Sequence, residues 1–249
     1  MRIIPVLDLK EGIAVHAVGG DRAKYRPVKS VLCEGSDPLK LASSFKKIGL
    51  SELYVADLDS IENVGSNLRI ISEIKVKLGL ELMVDVGVNN PDKALNLLNA
   101  GVDKVVVGTE TLNELRELRE VVDAVGGGRV VASIDLKEGR LLTRSLELKD
   151  MSTLEVAEAL EAQGAGELIL LELRRVGSRG GPDLELASRV LERVRVPLLV
   201  GGGVRHLDDL LALRDIGVAG ALIATSLHEG SLTPEDIALL KRGPRTPTP

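Results

Sequence analysis

Short apolar runs rich in β-branched residues recur along the chain, at Ile3–Leu7, Leu53–Ala56, Leu82–Val86, Lys104–Val107, Arg129–Ile134, Leu168–Leu171, Leu198–Val200 and Ala221–Ala224. Their apolar residues are consecutive rather than alternating, which is how a parallel strand covered on both faces reads. Between them apolar residues fall at helical spacing: Leu39, Ala42 and Phe45 share a face, as do Leu95, Leu98 and Ala100, and Leu154, Ala157 and Leu160. Asp37 before Pro38, Asn90 before Pro91 and Ser152 before Thr153 are helix starts, because each places a side-chain oxygen where it can accept the first free N–H groups. Eight strands, each followed by a helix, predict a (β/α)8 barrel over residues 1–242. The rival is a doubly wound open sheet, but its glycine-rich dinucleotide fingerprint is missing after the first strand. The Pro-rich tail, Gly243–Pro249, is expected to be disordered.

The chain also repeats itself. Leu7-Asp8-Leu9-Lys10-Glu11-Gly12 returns 127 residues later as Ile134-Asp135-Leu136-Lys137-Glu138-Gly139. Gly49–Leu53 is echoed at Gly164–Leu168, and Val84-Asp85-Val86-Gly87-Val88 at Val200-Gly201-Gly202-Gly203-Val204, at spacings of 115 and 116. Three matches in one order predict two half-barrels, about 1–125 and 126–242. The drop in spacing assigns the first half roughly 12 extra residues, expected within Val15–Ser36 as a mobile loop over the barrel mouth.

Composition narrows the function classes. With 44% apolar and 28% charged residues among 249, the chain can bury a large core. Tyr25, Tyr54 and Phe45 are its only aromatics, and 32 Lys and Arg stand against 37 Asp and Glu, for a net charge of −5. Neither stacking platforms nor a basic footprint for nucleic acid or a membrane surface is present. Cys33 is a single cysteine and the three histidines are scattered, so neither a disulfide nor a zinc site is expected. The start shows no signal peptide and no stretch approaches a membrane span, so the expected location is the cytoplasm.

The opening Ile3–Lys10, its echo Ser133-Ile134-Asp135, the run Gly201-Gly202-Gly203-Val204 and Ala221–Leu227 resemble the HisA/HisF family, from about Arg2 to Lys241. This family comprises phosphoribosylformimino-AICAR-phosphate isomerase and the cyclase subunit of imidazole glycerol phosphate synthase. The resemblance implies a TIM barrel, a phosphosugar substrate and no metal or cofactor. It also implies that Asp8 and Asp135 act as a general acid–base pair, consistent with two carboxyls across a barrel from one another. Gly202, Gly203 and Val204 after strand seven, with Ala224, Thr225 and Ser226 after strand eight, are the expected phosphate site, where bare N–H groups face an anion.

Other positions depart from the family. A second glycine-rich phosphate site is usual after strand three, but here Asp85 and Val86 precede Gly87, leaving Gly108 and Thr109 as donors in a weakened half-site. Where strand six usually ends in a Thr followed by an Asp-Gly pair, this chain has Leu171 and Val176-Gly177; Glu172 instead points a carboxylate near the mouth, with Arg174, Arg175 and Arg179 as either a substitute anion clamp or a solvated loop. Asp57 is either a mouth contact or a turn cap. His16 stands where the cyclase usually has Lys, as a substrate contact or a solvated loop residue. Arg2, Glu52, Lys104 and Glu167 begin strands one, two, four and six. They form either a stabilising ring on the bottom face or the cyclase's ammonia gate, which would imply a glutaminase partner. Three readings stand in order: an isomerase in histidine biosynthesis or a related pathway, the cyclase, and a repurposed phosphate-binding barrel.

Overall fold

Eight parallel strands close on themselves in a computed structural model, which describes residues 1–241. They are β1 (Arg2–Lys10), β2 (Glu52–Asp57), β3 (Glu81–Asp85), β4 (Lys104–Gly108), β5 (Val130–Lys137), β6 (Glu167–Glu172), β7 (Leu198–Gly201) and β8 (Gly220–Ile223). Each pairs with the next, and β8 returns to β1 with Arg2 opposite Gly220 and Pro5 opposite Ile223. The (β/α)8 barrel is the observed fold. Eight helices surround it: α1 (Pro38–Lys47), α2 (Leu68–Leu78), α3 (Pro91–Asn99), α4 (Leu115–Val125), α5 (Thr153–Ala162), α6 (Leu184–Leu191), α7 (Leu207–Asp215) and α8 (Pro234–Lys241). Asp37, Asn90 and Ser152 cap α1, α3 and α5 with their side chains, Ser152 within a capping box. Among the described residues no helix is long and apolar enough to cross a membrane. The tail from Gly243 lies outside them.

Successive side chains of a strand point to opposite faces, so each strand feeds two cores. One file points inward: Ile4, Tyr54, Met83, Val106, Val131, Ile169, Leu199 and Leu222, one from each strand, pack together inside the barrel. The other file, including Ile3, Leu53, Leu82, Val105, Val130, Leu168, Leu198 and Ala221, packs against the helices. The buried face of α3 differs from the expected one. Ala94 and Leu97 are buried while Leu95 is 40% exposed, because Leu95 is one residue out of phase with the stripe that meets the strands.

The repeat has a structural counterpart. β1 and β5 extend beyond their expected ends and pair with short antiparallel strands, Ile13–His16 and Arg140–Leu141. Each hairpin turns on a Glu-Gly pair with both residues at positive φ, Glu11 and Gly12 in one half and Glu138 and Gly139 in the other. The stretch inserted in the first half carries a second short strand, Arg26–Pro27, which pairs with the first. Its Gly19 N–H donates to Val176 O, in the loop after β6.

At the N-terminal end of the barrel the inward file is charged. Arg2 pairs with Glu52 at 2.5 Å and Glu167 at 2.7 Å, and Lys104 with Glu167 at 2.7 Å and Glu81 at 3.2 Å. Glu81 joins the four charges read from the sequence. Burial by itself lowers the Arg2 pKa, but the two carboxylates outweigh it and hold the guanidinium charged.

Candidate active site

The inward file ends at the opposite, C-terminal face. Two residues beyond Val6, Met83 and Ser133 on that file come Asp8, Asp85 and Asp135, and all three carboxylates line a cavity of about 740 Å³ at the mouth. Because β1 and β5 lie four strands apart in either direction, Asp8 and Asp135 face each other across it. Tyr54 and Leu222 contribute to its lining from within the barrel, and Ala17, Gly20, Arg22 and Tyr25 of the inserted stretch contribute from the first long loop.

Burial dominates the electrostatics. It raises the Asp8 carboxyl to about 7, against the opposing pull of Arg22. It also raises Asp135 to about 7; the Ser133 hydroxyl bond works against this, and the charges of Asp85 and Glu110 add to it. Asp85 is raised to about 6, again by burial first, with the Gly87 N–H opposing. Asp135 is fixed at both oxygens: Ser133 Oγ donates to Oδ1 at 2.7 Å, and the Glu110 N–H approaches Oδ2 at 3.3 Å. Gly108 is a glycine for a steric reason, since a Cβ there would sit 2.8 Å from Asp135 Oδ2. Carboxyls that titrate near neutrality can give and take protons in one turnover.

Gly202, Gly203, Val204, Ala224, Thr225 and Ser226 line the cavity together, on the β7–β8 side. Gly202 and Gly203 have φ of +96° and +89°; a Cβ on Gly202 would approach Glu172 O at 2.6 Å, and one on Gly203 would run into Gly181 O. Ser226 Oγ is buried without a hydrogen-bond partner. Gly108 and Arg179 also line the cavity, and Arg179 is paired with Glu229 at 2.5 Å.

Several expected mouth residues turn away from it. Asp57 is one residue out of phase with Ala56, which faces the cavity. Fully buried, it caps the short helix Leu58–Ile61 and accepts from Ser60 and Asn67. Glu172 is likewise out of phase with Leu171; its carboxylate accepts the N–H groups of Glu138, Gly139 and Arg174, and so braces the β5 hairpin. His16 bonds Thr225 Oγ1 at 2.9 Å from outside the cavity lining. Gly87 and Thr109 are also outside it: the Gly87 N–H is held by Asp85 Oδ1 at 2.8 Å, and the fully buried Thr109 accepts the Asp135 N–H. Of the three arginines after β6, Arg174 pairs with Glu138 and Arg175 with Asp183, so only Arg179 reaches the cavity.

Sequence reasoning missed Tyr54, Arg22, Tyr25, Glu110 and Lys137, all of which line the cavity. Tyr54 was within reach, because it lies two residues before Ala56 on a strand with period two. Arg22 bonds Glu110 across the mouth at 2.9 Å, a contact 88 residues apart that no local pattern signals.

A closed parallel barrel with three carboxyls gathered around a cavity at its C-terminal mouth is the arrangement of barrel enzymes. The chain belongs to the histidine biosynthesis protein family, whose model matches residues 2–233. It is 36% identical over 240 residues to an uncharacterized protein of Methanocaldococcus jannaschii, covering 95% of this chain and 97% of that one. It is 34% identical over 236 residues to the 1-(5-phosphoribosyl)-5-((5-phosphoribosylamino)methylideneamino)imidazole-4-carboxamide isomerase of Synechococcus sp. strain JA-3-3Ab, covering 94% of this chain and 88% of that one. To the isomerase of the same name from Methanosphaera stadtmanae it is 31% identical over 237 residues, covering 95% and 98%.

Proposed function

We propose that this protein is an intramolecular aldose–ketose isomerase of the Amadori type, acting on a phosphosugar of the phosphoribosyl-imidazole-carboxamide kind, with Asp8 and Asp135 as its acid–base pair. The observation that carries the reading is the pair itself: two carboxyls on opposite strands of one cavity, each raised by burial to about 7. The reaction opens a furanose ring by protonating its oxygen, then removes the proton from the neighbouring carbon to form an enaminol that returns as the ketose. One protonated carboxyl and one carboxylate supply both transfers, and pKa values near the working pH keep both forms accessible. The names of the relatives support the isomerase class, and the glycines at 202 and 203 with Ser226 support a phosphate anchor. Soluble, cytoplasmic action in histidine biosynthesis or a related pathway belongs to the same reading.

Replacing Asp8 or Asp135 with Asn tests it. Turnover should fall by roughly three orders of magnitude or more, with phosphosugar affinity changed by less than about tenfold. Turnover surviving both substitutions refutes the pair.

The charged ring at the N-terminal end favours a second reading, the cyclase with a glutaminase partner at that face. Activity with added ammonium, or co-purification with a glutaminase subunit, would support it; failure of both would exclude it.

A further inference from the structure

The two halves of the barrel offer matching positions to the mouth, and the chain fills them differently. Residues 84–88 correspond to 200–204, so Asp85 stands where the other half has Gly201, and Gly87 where it has Gly203. One strand further on, Gly108 and Thr109 correspond to Ala224 and Thr225. Gly87 and Gly203 even share the positive φ, at +68° and +89°. The backbone cradle is therefore present twice.

Only one cradle is open. At the Gly203 end no carboxylate replaces Gly201, the Glu229 carboxylate of the lining is paired with Arg179 at 2.5 Å, Gly203 itself lines the cavity, and Ser226 is 2% exposed with its Oγ lacking a partner. Thr225 Oγ1 meets His16 Nε2, and when that nitrogen carries the proton the hydroxyl keeps its own to donate. At the opposite end the equivalent donors are spent. The Gly87 N–H goes to Asp85 Oδ1, Gly87 abuts Thr111 and Ile61, and Thr109 is buried away from the cavity. Gly108 and Thr111 also line the cavity there, with the Thr111 hydroxyl donating to Gly108 O, and the acidic groups of this lining are Asp85 and Glu110. Arg22, the cation beside them, is bonded to Glu110 at 2.9 Å and lies 3.8 Å from Glu62; Lys137 is the other cation lining this side. A phosphate needs donors and would meet carboxylate oxygens, whereas hydroxyl or ammonium groups would donate to those oxygens.

We infer that the substrate carries a single phosphate, seated at the Gly203–Ser226 end, and turns sugar hydroxyls or an amine toward Asp85 and Glu110. This rests on the phosphosugar reading above and narrows it, since the compound in the relatives' name carries two phosphoribosyl groups.

The test is calorimetric titration of the purified protein with that two-phosphate compound and with the two monophosphates made by removing either terminal phosphate. One monophosphate should bind as tightly as the bisphosphate, within about threefold, and Asp85→Asn combined with Glu110→Gln should raise the affinity of the bisphosphate relative to that monophosphate by about tenfold, because the second phosphate loses two opposing carboxylates and the monophosphate's hydroxyls lose their acceptors. A bisphosphate binding the wild-type protein a hundredfold more tightly than either monophosphate overturns the single-phosphate inference and leaves the phosphosugar reading intact. Binding of none of the three overturns both.

Discussion

Asp135 is expected to cost the protein stability at neutral pH, and the cost can be worked from its surroundings. Its carboxyl titrates at about 7 in the fold against 3.8 in an unfolded chain. Between those values the folded state holds a proton that the unfolded state has released, so stability falls as pH rises through this window and levels off above it. At about 1.4 kcal/mol for each pKa unit, the upper limit is roughly 4 kcal/mol, part of which reflects the neighbouring charge of Asp85. Asp135→Asn removes the charge. Its side-chain oxygen can still accept from Ser133, but its NH2 group faces the Glu110 N–H and forfeits that 3.3 Å contact; losing it costs about 1 kcal/mol. The variant should therefore be more stable than wild type by about 2–3 kcal/mol near pH 8, or roughly 5–10 °C in Tm for a chain of this size. Near pH 4 the gain should vanish, because both forms of the site are then uncharged. Urea unfolding followed by circular dichroism across this pH range measures it. A variant less stable than wild type at pH 8, or a difference independent of pH, would refute the claim that burial of charge dominates this site.

Gly203→Ala should destabilise the fold by about 1–3 kcal/mol and weaken phosphate binding at least tenfold, because its backbone is at φ +89° and a Cβ would strike the Gly181 carbonyl; thermal melts and phosphate titration read the two effects. Arg2→Ala leaves Glu52 and Glu167 facing each other across a half-buried ring. It should cost about 2 kcal/mol, a value reduced from that of a fully buried pair by the ring's partial exposure. The loss should shrink in high salt, as denaturant melts at two ionic strengths would show.

The barrel was legible from the chain alone. Eight doubly apolar runs alternating with helical stripes admit little else, and the caps at Asp37, Asn90 and Ser152 are local chemistry that reads the same in one dimension as in three. The Asp8 and Asp135 hexamers were legible as well, because a repeat lies within the chain itself. Which carboxylates share the cavity was decided elsewhere. A strand apolar on both faces conceals its own phase, so nothing local distinguishes Asp85, which faces inward, from Asp57 and Glu172, which face outward one residue out of step. That phase is set when neighbouring strands lock their register around the closed barrel and the inward file fills its interior. Likewise, the meeting of Arg22 with Glu110, and of His16 with Thr225, depends on where the inserted stretch comes to rest on the mouth. Residues 88 and 209 positions apart are brought together there only by closure of the tertiary fold.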